Sequence, residues 1–122
     1  MRVFVIAIPA LCLTATISHG QELRIGFINT MTGGGAVLGK SLENGWKLGL
    51  EHHDWKADGD KLGGVPTRIF YADDQQKTEV GVREAEKMLN QNRVDIVAGI
   101  MWSNVLMAVS RPVFDAKALL MS

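Results

Sequence analysis

The stretch that decides the fold is Val94-Asp95-Ile96-Val97-Ala98-Gly99-Ile100, in which Asp95 is the one strongly polar residue. A strand with so little polar alternation is typical of a parallel sheet covered on both faces. A helix is expected next, because Ser103 or Asn104 can cap it, and Pro112 is expected to break or kink it after Val109. Residues 118–121 then predict a further strand.

The same alternation of strands and helices extends toward the N-terminus. Residues 23–28 predict a strand, residues 30–35 a glycine-rich loop, and residues 67–72 a second strand before a helix capped by Thr78. Between the first two strands, large apolar side chains recur every four residues, as on one helix face: Leu38, Leu42, Trp46 and Leu50. The order βαβαβαβ predicts an α/β fold, a parallel sheet with helices on both faces.

The first 20 residues have the composition of an export signal. Arg2 precedes the apolar residues 3–15, a run shorter than the roughly 20 residues that a membrane-spanning helix needs. Ser18 and Gly20 place small side chains before a cleavage site at Gln21. We therefore expect residues 1–20 to be a cleaved signal peptide and residues 21–122 to be an exported, periplasmic domain.

Composition and charge exclude several classes of protein. The chain has 47% apolar and 21% charged residues, as a globular protein does, and its 13 basic and 13 acidic residues give no net charge for binding nucleic acid. Adjacent helical residues point about 100° apart, so His52 and His53 do not suit one metal ion. We find no catalytic triad, and we expect neither an enzyme nor a metal or other cofactor.

One motif supports an alternative function. Gly34 to Ser41 fits the pattern G-x-x-x-x-G-K-[ST] of a phosphate-binding P-loop, in which Lys40 would neutralise phosphate and Ser41 would hold magnesium. Two features argue against a nucleotide hydrolase. One is the export signal, and the other is the five residues, 29–33, that separate the strand from the first glycine of the motif. The simpler interpretation is that the glycines form a flexible loop and that Lys40 faces solvent.

The junction after the third predicted strand, Gly99 to Asn104, is the most informative polar site. The chain leaves a parallel strand here, and Ser103 lies at a helix start, where free N–H groups attract an anion. Met101 and Trp102 supply apolar contact area beside it. The same residues are equally consistent with a serine that only caps its helix and a tryptophan that only packs.

These features, in this order, resemble the branched-chain amino-acid type of solute-binding protein in bacterial ABC importers. The matching segments are Ile25-Gly26-Phe27, Thr32-Gly33, Gly39, Gly63-Gly64, Asp73-Asp74 and Val97-Ala98-Gly99 before Trp102-Ser103. The resemblance implies two α/β lobes joined by a hinge, of which residues 21–122 are an incomplete N-terminal lobe. It also implies that a small carboxylate-bearing solute binds between the lobes and is delivered to a membrane permease. That solute is a branched-chain or related amino acid, an amide or an aromatic acid.

The resemblance further implies which residues bind the ligand. The loop after the third predicted strand would hold the carboxylate through Met101, Trp102 and Ser103, with Asn104 beside them. The loop after the first strand would line the cleft with Gly34, Gly35, Val37 and Leu38.

One departure from the family concerns a disulfide. Related proteins often carry it between the Asp-Asp loop and the third-strand loop, and Gln76 and Trp102 stand at those places here. This change puts leucine, isoleucine and valine in doubt as ligands, and it leaves other small carboxylates, including aromatic acids, or amides as candidates. A ligand-sensing receptor domain of the same fold is a further alternative.

Overall fold

The chain alternates strands and helices through residues 21–53, 55 and 60–122, the part that the computed structural model describes. The predicted signal peptide, residues 1–20, lies outside the described residues. The elements in chain order are β1 (Leu23–Asn29), α1 (Ala36–His52), β2 (Lys61–Leu62), β3 (Val65–Asp73), α2 (Thr78–Lys87) with a π-helical turn (Met88–Asn92), β4 (Ile96–Ala98), α3 (Ser103–Asp115) and β5 (Leu119–Met121). The predicted alternation is confirmed, with β2 as an addition.

The five strands form one sheet in the order β2-β3-β1-β4-β5. Strands β3, β1, β4 and β5 are parallel, with Phe27 of β1 opposite Tyr71 of β3 and Ala98 of β4. Helices lie on both faces, so the predicted fold class is confirmed. The last five residues of β1 are all buried, as expected of the middle strand in a covered parallel sheet.

The short strand β2 makes the sheet mixed, which the sequence did not predict. It pairs antiparallel with β3, Leu62 lying opposite Val65, and only Gly63 and Gly64 connect them. Both glycines have positive φ, 56° and 80°, as the two central residues of a type I′ hairpin turn do. The Gly-Gly pair was therefore a hairpin signal, but two residues of strand are too few to show a periodic pattern.

Helices α2 and α3 cover one face of the sheet and enclose the main core. Their buried side chains pack with those of β1 and β4, and the cluster comprises Ile28, Ala85, Met88, Leu89, Val94, Val97, Ile100, Val105, Val109 and Val113. No helix in the described part of the chain is both long enough and apolar enough to cross a membrane.

Helix α3 runs without a break through Pro112, so the predicted end after Val109 is wrong. Proline removes one N–H donor and crowds the preceding turn. Val105, Val109 and Val113 are nevertheless all fully buried at intervals of four. Burial of this stripe on both sides of Pro112 holds the helix together across the missing hydrogen bond.

Helix α1 covers the opposite face through only part of its predicted apolar stripe. Leu50 is buried and the Trp46 ring stacks on Phe27 with centroids 4.8 Å apart. Leu38 and Leu42, nearer the helix start, are 55% and 37% exposed. The repeat at intervals of four identifies the helix correctly, but its first turns stand at the edge of the sheet.

Candidate functional site

The order of strands places a crevice between β1 and β4. The chain leaves β1 toward β3 by way of α1, and returns by way of α2 to β4 on the other side of β1. The loops after β1 and β4 therefore diverge to opposite faces of the sheet at its carboxyl edge, which is where open α/β sheets bind ligands. The residues predicted to bind ligand belong to these two loops and to the helices that follow them.

A chain of buried and partly buried hydrogen bonds joins the two loops to the end of β3. The indole Nε1 of Trp102 donates to Oγ1 of Thr30 at 2.8 Å, and that hydroxyl donates to Oδ1 of Asp74 at 2.5 Å. The same Oδ1 accepts the backbone N–H of Gln76 at 2.9 Å. Thr30 and Asp74 are fully buried, and Oδ2 of Asp74 has no hydrogen-bond partner in the described part of the chain.

Gly35 lies where the two loops touch. A Cβ atom on residue 35 would stand 2.7 Å from Cζ2 of Trp102 and 3.3 Å from Oε1 of Gln76. Gln76 and Trp102, which stand where the resemblance places a disulfide, thus both lie against this one glycine. The structure brings together Gly35 and Trp102 of the predicted site and adds Thr30, Asp74 and Gln76.

Three helices begin at this edge, and none of their starts receives a hydrogen bond from a capping side chain of the described residues. The predicted caps were Thr78 for α2 and Ser103 or Asn104 for α3, but the capping positions belong to Lys77 and Trp102. Thr78 and Ser103 are the first residues inside α2 and α3. The side chain of Asn104 donates to Oγ1 of Thr78 at 3.1 Å, which ties the two starts together.

The start of α3 is the better anion site of these two. Its first N–H groups have no intrahelical acceptor, and its first turn carries no acidic residue, whereas α2 carries Glu79 there. The helix dipole adds a partial positive charge at the same place. Ser103 and Asn104 are exposed, so a carboxylate can reach these N–H groups and the Ser103 hydroxyl.

Three other predicted residues, Val37, Leu38 and Met101, take no part in the hydrogen bonds that join Trp102, Thr30 and Asp74. Val37 and Leu38 are in the first turn of α1 with exposed side chains. Met101 lines an apolar groove of about 540 Å³ that lies beside α1, over β4 and β5. Apolar side chains make up most of the lining of this groove, and its polar side chains are those of Ser41 and Ser122.

Asp73 fixes the loop after β1 from the end of β3. Its Oδ1 accepts the backbone N–H groups of Met31 at 2.8 Å and Gln75 at 2.9 Å, and its Oδ2 accepts the Thr32 hydroxyl at 2.5 Å. Burial raises the pKa of this carboxyl, but the hydrogen bonds lower it by more, so the pKa lies below its ordinary value. Aspartates at a strand end are a local signal for such turns.

The P-loop motif does not form a phosphate cradle. Helix α1 begins at Ala36, so the last three residues of the motif, Gly39, Lys40 and Ser41, lie inside the helix. The N–H of Gly39 donates to the carbonyl of Gly35 at 3.1 Å, and the Ser41 hydroxyl donates to the carbonyl of Val37 at 3.2 Å. The Gly39 N–H and the Ser41 hydroxyl are therefore already paired with backbone carbonyls of the motif itself. Among the described residues, no group of three His, Cys, Asp or Glu could hold a metal ion.

Comparison with known proteins gives a consistent result. A family model described as periplasmic binding protein matches residues 22–122. No curated protein sequence matches the chain. The solved structures that match are several times longer, and the chain spans about a quarter of the length of those reported below.

Three solved structures illustrate the likeness. An ABC transporter substrate-binding protein from Sphaerobacter thermophilus is 26% identical with a TM-score of 0.71, over 82% of this chain and 26% of that one. A solute-binding protein from Rhodopseudomonas palustris BisB5, in complex with 3,4-dihydroxybenzoic acid, is 26% identical with a TM-score of 0.72, over 81% and 26%. A branched-chain amino-acid binding protein from Streptococcus pneumoniae, in complex with isoleucine, has a TM-score of 0.72 over 82% and 28% but is 21% identical, so it shows the fold alone.

Proposed function

We propose, from the premise that the chain belongs to the periplasmic binding protein family, that it forms part of the N-terminal lobe of an ABC-importer solute-binding protein. In this proposal a second lobe closes over the carboxyl edge of the sheet, and a small carboxylate-bearing solute lies between the lobes. Hinge closure around the ligand is the usual way in which such two-lobed proteins act. The closed form then delivers the solute to a membrane permease.

The start of α3 beside Trp102 carries the proposal. The uncapped N–H groups of this helix lie in the crevice at the switch point of the sheet, next to the exposed Ser103 hydroxyl. Hydrogen bonds to a charged carboxylate contribute about 1.5–3 kcal/mol each. Two or three such bonds are enough to orient a small acid with its carboxylate on α3 and its apolar part on the Trp102 ring.

Aromatic acids are the first ligands to test, and branched-chain amino acids the second. The Rhodopseudomonas palustris relative was solved with 3,4-dihydroxybenzoic acid, and the indole of Trp102 offers a flat apolar surface of the kind that stacks on an aromatic ring. A branched aliphatic side chain is not flat, so it contacts such a surface less well. An amide remains a third class, since the helix N–H groups also donate to a neutral carbonyl.

Calorimetry on the full-length protein tests the site. The probes are 3,4-dihydroxybenzoate and isoleucine, and the variant is Ser103→Ala, which removes only the hydroxyl. We expect a loss of affinity of about tenfold, as one hydrogen bond to a charged group implies. Ser110→Ala is the matched control, because that hydroxyl lies in the same helix and donates to the carbonyl of Met107. Equal affinity of Ser103→Ala and the wild type would reject the site.

Export is a separate part of the proposal. Residues 1–20 are proposed as a signal peptide that directs the protein to the periplasm and is removed before Gln21. Intact-mass analysis of the protein from a periplasmic extract tests this point. A mature chain that retains Met1 would contradict it, and it would also reopen the receptor-domain alternative, in which the ligand is sensed at a membrane rather than carried.

A further inference from the structure

We infer that Thr30 and Asp74 are positioning residues, which hold the ring of Trp102 in place as an apolar wall of the ligand crevice. The inference rests on the proposed function, since it concerns the same crevice. It adds two residues that the ligand itself does not touch, and it narrows the class of carboxylate that the crevice accepts.

The direction of the hydrogen bonds between these residues is fixed by chemistry. An indole N–H can only donate, so Oγ1 of Thr30 must accept from Trp102 at 2.8 Å. The single proton of the threonine hydroxyl is then free to donate to Oδ1 of Asp74, 2.5 Å away. A carboxylate oxygen accepts, and it therefore fixes the rotation of the hydroxyl, which in turn fixes the indole.

Burial separates the two positioning residues from the ligand. Thr30 and Asp74 are both 0% exposed, whereas Trp102 is partly exposed. Any effect of Thr30 or Asp74 on binding must therefore be indirect, and the hydrogen bond from the indole of Trp102 to Oγ1 of Thr30 is its direct link to the crevice. Gly35 holds the ring from another side, because a Cβ atom there would stand 2.7 Å from Cζ2 of Trp102.

The anchoring determines what the ring can recognise. The one hydrogen-bond donor of the indole is already used by Thr30, so the ring offers only its apolar surface to a ligand. Trp102 is also the residue directly before the first turn of α3, where the carboxylate is proposed to bind. The ring therefore stands next to the carboxylate and favours acids that carry a flat apolar group within one or two bonds of it, as benzoates do.

The test compares Thr30→Val, which keeps the shape but loses the hydroxyl, with Thr30→Ser, which keeps the hydroxyl. It uses the full-length protein, with 3,4-dihydroxybenzoate as the probe. Two quantities are measured: the dissociation constant, and the NMR resonance and hydrogen exchange of the Trp102 indole N–H, assigned with Trp102→Phe. We expect Thr30→Val to lose at least tenfold in affinity and to exchange the indole proton faster, and Thr30→Ser to preserve both.

Two further variants separate positioning from general loss of stability. Thr67→Val removes a buried hydroxyl that donates to the carbonyl of Val65 near the opposite edge of the sheet, and it is expected to leave both readings unchanged. Trp102→Phe removes the donor without altering Thr30. Adding Thr30→Val to Trp102→Phe is expected to cause no further loss of affinity, since the hydrogen bond is already absent.

The outcomes distinguish this inference from the proposed function. Wild-type affinity in Thr30→Val, or losses that simply add in the double variant, would overturn the positioning role while leaving the proposed function intact. A wild-type protein that binds neither 3,4-dihydroxybenzoate nor isoleucine would overturn the proposed function and the ligand part of this inference. The indole resonance would then still decide whether Thr30 anchors the ring.

Discussion

A Cβ atom on Gly39 would clash with the carbonyl oxygen of Thr30, so α1 crosses the loop after β1 in direct backbone contact. The side chain of Asn29 donates to the carbonyl of Gly39 at 2.7 Å and closes the contact from the side. The loop that carries Gly34 and Gly35 is therefore fixed at both ends. This contact sets the position of one side of the crevice.

Gly39→Ala is expected to destabilise the protein by about 3 kcal/mol or more, because the clash is with backbone and cannot be relieved by rotating a side chain. Gly49→Ala in the same helix is the control: nothing lies within 4 Å of its added Cβ. That substitution is expected to stabilise by about 0.5–1 kcal/mol through helix propensity. Urea unfolding monitored by circular dichroism measures both, and equal midpoints would contradict the close approach.

Gly35→Ala is expected to weaken ligand binding, because its Cβ would push the Trp102 ring away from the crevice. Gly49→Ala in α1 is the control, since it lies outside this loop and nothing lies within 4 Å of its added Cβ. Calorimetry should show a loss of about tenfold or more for the first variant and less than about twofold for the second. Equal affinities in the two variants would show that the ring position does not matter.

Asp73 should make the loop after β1 sensitive to acid. Its folded-state pKa lies below the ordinary value of about 3.9, so its contribution to stability is complete above that pH. The contribution begins to be lost as the pH falls below about 4, and it is fully lost once the pH has passed below the lowered folded-state pKa. Asp73→Asn should therefore reduce the steepness of the decline in Tm below about pH 4, measured by calorimetric scans. An unchanged acid slope would contradict the assignment.

Lys40→Ala is expected to leave both the affinity for carboxylates and the melting temperature nearly unchanged. Lys40 is exposed inside α1, and the N–H groups of that part of the helix are already used. ATP with magnesium should not bind to the wild type in the same calorimetric experiment. ATP binding that disappears in Lys40→Ala would support the nucleotide hydrolase instead.

The sequence predicted the fold wherever burial controls the pattern. The apolar run of β4 and the buried end of β1 are long-range consequences of a covered sheet, and they are visible in the residues themselves. Pro112 led to a wrong helix end because the local cost of a proline inside a helix competes with the burial of Val105, Val109 and Val113. That burial is seen only in the packed structure. Strand β2 is too short to show the alternation of apolar and polar residues that indicates a strand.

The candidate site was predictable only in part. Ser103 and Trp102 follow from the general rule that parallel strands end at the ligand edge. The hydrogen bond between Trp102 and Thr30 joins residues that are 72 positions apart, so no local sequence pattern predicts it. The assignment of Ser103 as a cap failed for a similar reason, because one residue of helix start decides whether a serine caps the helix or lies inside it.

The uncapped start of α3 has a consequence for proton linkage. Its attraction for an anion comes from peptide N–H groups and aligned dipoles, which neither gain nor lose protons in the range where proteins are folded. Capture of a carboxylate there would release and take up no protons as long as the ligand is ionised. Such a binder would hold its solute equally well in mildly acidic and mildly alkaline surroundings, and its heat of binding would not depend on the ionisation enthalpy of the buffer.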